Sequence, residues 1–148
     1  MIKETSAGGI LFLREKDNIL YLLLYKEAHL HYKEGWDFSR GLIEKNESAK
    51  DGATREIKEE TGIEDLKFID GFEERVKWFY RKNGLPVNKE VIYFLIETKT
   101  KDVKISDEHD SFKWCTYDEA LKLIKFGNAK SVLKKANEVL NGGLNKFI

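Results

Sequence analysis

The sequence predicts an α/β protein in which helices cover a mixed β-sheet. Three observations support this fold class. Apolar runs of strand-forming residues lie on both sides of a helical segment, turn signals join several of these runs in hairpins, and the C-terminal part of the chain has helical periodicity. This order of strands, helix, strands and helices differs from a regular βαβ winding. We therefore expect one mixed sheet that contains several hairpins.

Length and composition indicate a single domain spanning residues 1–148. The chain has 148 residues, one proline and no repeat or low-complexity tract that would mark a linker. Its 26 basic side chains balance 26 acidic ones, so no overall positive field favours nucleic acid or an anionic membrane. One cysteine excludes an intrachain disulfide, and no run is apolar enough for a bilayer span or a secretion signal. We expect a cytoplasmic protein with no membrane partner, and the sequence does not specify an oligomeric state.

The N-terminal region predicts a hairpin. Residues 6–13 and 19–25 are apolar, strand-forming runs separated by the polar segment Arg-Glu-Lys-Asp-Asn. A polar loop and a short extended piece at residues 36–38 follow. Trp36 in this piece is interpreted as a packing residue.

A capped helix comes next. Ser48, with Asp51 three residues later, is typical of a helix N-terminus, and Gly62 stands where a C-cap glycine belongs. We predict a helix from Ser48 to about Thr61.

A second pair of strands, residues 66–81 and 91–97, is joined through Asn83-Gly84, which is a strong turn signal. Alternation in the first of them predicts two faces, with Val76, Trp78 and Tyr80 on one and Lys77, Phe79 and Arg81 on the other.

The C-terminal region predicts a short strand and helices. Residues 112–115 form the strand, in which Cys115 is expected to be a core position rather than a nucleophile. Thr116 and Glu119 form a capping box that opens a helix, and residues 129–140 are amphipathic.

The predicted central helix carries an unusual cluster of charge. At about 100° per residue, Arg55, Glu56, Glu59 and Glu60 fall within an arc of roughly 140°. Carboxylates that lie so close repel one another, and a hard divalent cation such as Mg²⁺ relieves that repulsion. The alternative is a solvated face with an ion pair between Arg55 and Glu59. A solvated helix could tolerate this much charge, but it has no need of Gly52 inside it.

The segment 41–63 resembles the Nudix box, G-x5-E-x7-R-E-U-x-E-E-x-G-U with U aliphatic. Every specified position matches, namely Gly41, Glu47, Arg55, Glu56, Ile57, Glu59, Glu60, Gly62 and Ile63. The resemblance implies a Nudix-type α/β/α sandwich with a loop–helix–loop metal site. It also implies hydrolysis of a nucleoside diphosphate linked to another moiety.

The same resemblance implies roles for the residues of the box. Glu56, Glu59 and Glu60 would hold Mg²⁺, for which Mn²⁺ can substitute, with help from the Gly41 carbonyl. Arg55 would orient Glu47 rather than touch substrate. Glu59 or another carboxylate of the cluster would be the general base, and the sequence decides neither which one nor the number of metal ions.

Outside the box the chain looks like the asymmetrical diadenosine tetraphosphate hydrolases. The matching elements are residues 6–10, Trp36, residues 78–80, 91–94, 106–109 and 112–114. The likeness implies that Glu108 lies near the metals, the alternative being a solvated loop carboxylate. It also implies that Phe112 stacks on adenine, for which a ring face suffices. Trp114 is interpreted as a packing residue.

Four further residues are candidates for contact with the substrate. Tyr80 could face a base, or belong to the core or the sheet edge. Lys89 and His31 could reach phosphate, although a solvated lysine and a surface histidine are the alternatives. Arg40 could grip phosphate bidentately.

The chain departs from the subfamily pattern in two places before Glu47. Ser39-Arg40 replaces the usual Pro-Lys, which keeps a cation but changes the backbone, and Lys45-Asn46 replaces the usual Pro-Gly. Because Asn tolerates the left-handed conformation, we expect the loop to survive. These departures bear on specificity more than on catalysis.

The sequence therefore predicts a Mg²⁺-dependent pyrophosphohydrolase that splits diadenosine tetraphosphate into ATP and AMP. The alternatives are a Nudix hydrolase of another nucleoside polyphosphate, such as a damaged nucleoside triphosphate or an RNA 5′ end, and a non-catalytic nucleotide sensor. A sensor would be expected to lose acids of the box, and this chain keeps all of them. Balanced charge counts against RNA.

Overall fold

A sheet of seven strands lies between one helix on one face and two helices on the other in the computed structural model, which describes residues 1–28 and 34–145. The strands are β1 (Ile2–Glu15), β2 (Asn18–Lys26), β3 (Gly35–Asp37), β4 (Ser39–Leu42), β5 (Lys67–Lys82), β6 (Leu85–Glu97) and β7 (Ser111–Cys115). The helices are α1 (Ala49–Thr61), α2 (Tyr117–Leu123) and α3 (Gly127–Asn145). This is the α/β/α arrangement that the Nudix resemblance implies.

The sheet is mixed because the central strand β1 has partners of both orientations. Along one edge, β1 pairs in parallel with β6 over residues 2–12. Its other edge is shared by two antiparallel partners, β4 at residues 6–9 and β2 at residues 12–15. The sheet therefore forks along β1, and β2 continues to β3 and β7. The fork brings β4, which carries the first residue of the Nudix box, next to β1 and α1.

Two apolar clusters fill the space between the sheet and the helices. Ile10 and Phe12 of β1 pack on the side of α2 and α3, whereas Ala7 and Leu11 pack on the side of α1. Because both faces are covered, this part of β1 is a continuous apolar run rather than an alternating one. Burial of each large apolar side chain in these clusters stabilises the folded state by roughly 1.5–3 kcal/mol.

The predicted elements are confirmed, and several strands are longer than predicted. β6 begins at Leu85 rather than residue 91, and β1 begins at Ile2 rather than residue 6. The added segments are polar but pair with each other, residues 3–5 against 88–90, so tertiary pairing supplies what their apolar content lacks. Asn83 and Gly84 both have positive φ, as the predicted hairpin turn requires.

The helix ends also follow the predicted signals. The Ser48 hydroxyl accepts a hydrogen bond from the Asp51 N–H, and Gly62 ends α1 with φ of 75°. Thr116 and Glu119 form the reciprocal capping box of α2. Cys115 is buried in the core, where burial raises the pKa of its thiol to about 11. Among the described residues, no helix combines the length and the apolar character that crossing a membrane demands.

Candidate active site

Two glycines let helix α1 approach the strand and loop that precede it. A Cβ on Gly41 of β4 would lie 2.0 Å from the carboxyl carbon of Glu56, so only glycine allows the Glu56 carboxylate to rest against this backbone. A Cβ on Gly52 would lie 3.1 Å from a carboxylate oxygen of Glu47 and 3.3 Å from Ile43. The glycine inside the helix therefore makes room for the preceding loop. Asn46 in that loop has φ of 66°, the left-handed conformation expected for it.

Arg55 connects this loop to the helix. Its Nε and one terminal nitrogen donate to the two carboxylate oxygens of Glu47 at 2.8 and 3.0 Å, and the same terminal nitrogen donates to the Leu42 carbonyl at 2.9 Å. The other terminal nitrogen donates to Glu56 at 2.8 Å and lies 3.4 Å from Glu59. The Arg55 fork lowers the pKa of Glu47 to about 2, with help from a hydrogen bond from the Glu44 N–H. Arg55 thus contacts Glu47 and Glu56 in the geometry of a residue that orients carboxylates.

Glu60 has a different environment from the other acids of the helix. It is only 2% exposed, and the Ser39 hydroxyl donates to its carboxylate at 2.5 Å. Burial, together with the charges of Glu56 and Glu108, raises its pKa to about 8 despite the Ser39 hydrogen bond. Ser39, one of the two residues that depart from the subfamily pattern before Gly41, therefore places a hydroxyl against the most buried acid of the box.

The loop that follows β6 brings two more groups to Glu60. Backbone hydrogen bonds from Lys104 to the Thr61 carbonyl and from Ser106 to the Glu60 carbonyl fasten this loop to the end of α1. One ligand atom each of Glu60, Glu108 and His109 then lie within 4.8 Å of one another. Glu108 thus lies next to an acid of the box.

His109 was not among the predicted site residues, because no Cys or second His is spaced to form a zinc site with it. Its Nδ1 lies 4.0 Å from a Glu60 oxygen and is the buried side-chain polar atom that has no hydrogen-bond partner among the described residues. Burial lowers the pKa of His109, which favours the neutral ring with a free lone pair. Its position directly after Glu108 was the available signal.

These residues fit a divalent cation. Hard cations select carboxylate and carbonyl oxygens, and the site presents Glu56, Glu60, Glu108 and the backbone at Gly41 close together. The buried His109 nitrogen has no hydrogen-bond partner in the part of the chain that the structure describes, and the pKa of Glu60 is raised. Both observations indicate a place where a positive charge would be stabilised. The Glu59 side chain is 58% exposed and forms an ion pair with Arg55 at 3.4 Å.

The predicted phosphate-binding cations lie beside this cluster on two strands that flank β1. Arg40 of β4 pairs with Asp37 at 3.3 Å and lies over the Trp78 ring at 5.5 Å. Lys89 of β6 is 8% exposed and donates to the Ser6 hydroxyl at 2.6 Å. Burial and the nearby Arg40 charge lower the pKa of Lys89. The two cations are thus close enough to influence each other.

The predicted aromatic residues differ in their contacts. Tyr80 donates its phenol hydrogen to Glu4, whereas Phe112 on β7 is 37% exposed and pairs with Leu24 of β2. Trp36 and Trp114 pack against the apolar clusters, as expected. His31 lies outside the described residues.

The fold and the acidic site define a class of protein, and comparison with known proteins agrees. The NUDIX domain family matches residues 3–135. The chain belongs to this family and is a Nudix hydrolase, an enzyme that acts on phosphoric anhydrides. Members of the family generally use a divalent metal, and the acidic cluster could bind one.

Particular relatives resemble the chain along almost its whole length. The rat asymmetrical bis(5′-nucleosyl)-tetraphosphatase is 33% identical over 145 residues, which cover 91% of this chain and 94% of the rat protein. The Caenorhabditis elegans protein of the same name is 31% identical over 93% of this chain and 96% of its own. A crystal structure of a C. elegans Ap4A hydrolase binary complex superposes with a TM-score of 0.80 at 30% identity, covering 94% of this chain and 98% of that one.

Proposed function

We propose that this Nudix hydrolase is a single catalytic domain that cleaves diadenosine tetraphosphate asymmetrically into ATP and AMP with Mg²⁺. The observation that carries the proposal is the end-to-end match to proteins named asymmetrical bis(5′-nucleosyl)-tetraphosphatase, which leaves little of either chain unaligned. The match includes the regions outside the Nudix box, where a second nucleoside would have to be recognised.

The cation would be held by Glu56, Glu60 and Glu108, with Glu59, the Gly41 carbonyl and the His109 nitrogen nearby. When bound, it supplies charge neutralisation and Lewis acidity at the attacked phosphoryl group.

The side chains around the metal ligands have separate tasks. Arg55 holds Glu47 and Glu56 in fixed orientations through its fork of hydrogen bonds. Glu59 is more accessible than Glu56 and Glu60 and is our candidate to accept the proton of the attacking water. Its side chain reaches solvent, so that proton can leave the site.

Recognition of the polyphosphate falls to the cations beside the cluster. Arg40 and Lys89 would stabilise charge on the phosphates that do not react, with His31 as a further candidate. Phe112 presents an exposed ring to one adenine, and Tyr80 is the candidate for a second base contact.

A substrate panel with chromatographic identification of the products tests this proposal. We expect diadenosine tetraphosphate to be the best substrate and to give ATP and AMP, with solvent oxygen from ¹⁸O-labelled water appearing in AMP. Cleavage at the midpoint to two ADP would refute the subfamily assignment, as would faster turnover of a simple nucleoside triphosphate or of a triphosphorylated RNA end. Full activity in excess chelator would refute the metal site itself.

A further inference from the structure

One carboxylate outside the Nudix box, that of Glu4, contacts three polar side chains of the neighbouring hairpin. The Tyr80 hydroxyl donates to one of its oxygens, and Lys89 Nζ lies 3.8 Å from the same oxygen. Lys82 Nζ lies 3.6 Å from the other oxygen. The Glu4 side chain is 15% exposed and stands directly opposite Lys89 in the pairing of β1 with β6.

Lys89 needs a negative partner at this position. A buried ammonium is unfavourable unless it is paired, and its short hydrogen bond to Ser6 supplies a neutral oxygen only. The nearby Arg40 adds repulsion of like charge. Within residues 1–28 and 34–145, the ion pair to Glu4 is the one carboxylate contact found for the Lys89 ammonium.

Tyr80 gains a fixed direction from the same carboxylate. Its hydroxyl is bound to Glu4 across 76 positions of sequence, from strand β5 to strand β1. A ring that is already held in place loses less conformational entropy when a base packs against it.

We infer that Glu4 is a positioning residue of the substrate site, which holds the Tyr80 ring and the Lys89 ammonium together in the arrangement that receives one end of the dinucleotide. This inference rests on the proposed function, because Tyr80 and Lys89 are its candidate substrate contacts. Glu4 would touch no reacting atom and would act only through these two side chains.

The chain offers a matched control in Glu90. Glu90 is the neighbour of Lys89 on β6, its side chain is similarly exposed at 20%, and it makes ion pairs with Arg75 and Lys77. Its side chain projects from the opposite face of the sheet, because successive residues of a strand alternate. Glu90→Gln thus removes a paired carboxylate from the same strands without touching Tyr80 or Lys89.

The experiment compares wild type, Glu4→Ala, Glu4→Gln, Tyr80→Phe, Glu4→Ala/Tyr80→Phe and Glu90→Gln. Steady-state kinetics with diadenosine tetraphosphate give kcat and KM, calorimetry gives the Kd of ATP, and thermal unfolding gives Tm. For Glu4→Ala we expect KM and the ATP Kd to rise about 10-fold while kcat changes less than about twofold, because preorganisation is lost and the reacting groups are untouched. Glu4→Gln keeps an acceptor for Tyr80 but no charge for Lys89, and we expect KM and the ATP Kd to rise roughly threefold.

The double variant and the control decide the interpretation. If Glu4 acts through Tyr80, Glu4→Ala should weaken ATP binding less in the Tyr80→Phe background than in wild type. Wild-type Kd in Glu4→Ala would overturn the inference. So would a loss of Tm and kcat with unchanged Kd, which would mark a purely structural role, or an equal rise of Kd in Glu90→Gln. If wild type binds ATP with this pattern of variants but does not convert the dinucleotide to ATP and AMP, the proposed function fails while the positioning role stands.

Discussion

The two ends of helix α1 surround a carboxylate in opposite ways. At the N-terminal end, Glu47 receives two hydrogen bonds from Arg55, and its pKa is lowered to about 2. At the C-terminal end, Glu60 is buried beside other acids, and its pKa is raised to about 8. The protein thus supplies the counter-charge for Glu47 from its own sequence. Glu60 receives hydrogen bonds from two neutral groups, the Ser39 hydroxyl and the Arg40 backbone N–H, and a bound cation would supply its counter-charge.

The difference indicates a division of work within one motif. The Arg55 region is complete without metal and holds the loop and helix in register. In the Glu60 region several acids lie close together, and a bound cation would relieve their repulsion. Variants at the two ends should therefore fail in different ways.

Glu60→Gln should have the largest effect on activity. The amide keeps the shape of the side chain but removes a ligand charge, and we expect kcat to fall on the order of 10³-fold, because several kcal/mol of transition-state charge stabilisation are lost. Titration calorimetry with Mg²⁺ should show weakened binding. Glu64→Gln, which removes an exposed acid just beyond the helix, is the control and should behave as wild type. Near-normal turnover by Glu60→Gln would contradict a metal-binding role for the C-terminal end of α1.

The pH dependence of stability should reveal the same difference in the metal-free protein. Folded Glu60 keeps its proton up to about pH 8, whereas a free glutamic acid loses it near 4.5. The folded state binds the extra proton between these values, so the free energy of unfolding should fall as pH rises through this window, by on the order of 3 kcal/mol.

Chemical denaturation in chelator at pH 5 and pH 8 measures this loss. Glu60→Gln cannot ionise, so its unfolding free energy should depend less on pH and exceed that of wild type at pH 8. Saturating Mg²⁺ should restore the unfolding free energy that the wild-type protein loses at pH 8. A wild-type profile that does not respond to Mg²⁺ would contradict the proposed need for an external cation.

Arg55→Lys should damage the opposite end of the helix. Lysine keeps the charge but cannot form the two parallel bonds to Glu47 while also reaching Leu42 and Glu56. We expect kcat to fall about 10- to 100-fold, the range typical when a residue that orients metal ligands is changed. In contrast with Glu60→Gln, the variant should also be less stable in chelator. Full activity of Arg55→Lys would show that charge alone suffices at this end.

Gly41→Ala tests the close approach between β4 and the helix. The added methyl group would overlap the Glu56 carboxylate, so we expect this side chain to move and the apparent affinity for Mg²⁺ to fall about 10-fold. Gly127→Ala is the matched control, since a Cβ there meets nothing within 4 Å. Unchanged metal affinity in Gly41→Ala would mean that the position of Glu56 matters less than its contacts indicate.

Ser39→Ala should give the smallest effect. It removes the hydroxyl that donates to Glu60 and leaves the burial of that acid unchanged. We expect the affinity for Mg²⁺ to fall a few-fold, consistent with one hydrogen bond worth about 1 kcal/mol. The measurement is the same titration, and an effect as large as that of Glu60→Gln would show that Ser39 does more than support the carboxylate.

Much of the fold and the identity of the acidic site were predictable from the sequence. The caps at Ser48 and Gly62 and the turn at Asn83-Gly84 depend on residues a few positions apart, and the Nudix box is one continuous segment, residues 41–63. The boundaries of β1 and β6 were missed because the ends of both strands are polar. Residues 85–90 of β6 pair with β5 across the Asn83-Gly84 turn, and residues 2–5 of β1 pair with residues 87–90 of β6 from far away in the sequence. Local preference carries no information about such a partner.

The sequence by itself thus determined the family and nominated the residues of the acidic site, and the tertiary structure decided the environment of each of them. The burial of Glu60, the approach of His109 to it and the contact of Glu4 with Tyr80 and Lys89 all join segments that lie far apart in the chain. Ser6 and Lys89, for example, meet across 83 positions. The physical reason is that a charge responds to solvent exclusion and to neighbouring charges, and both exist only after distant strands, helix and loop have packed together.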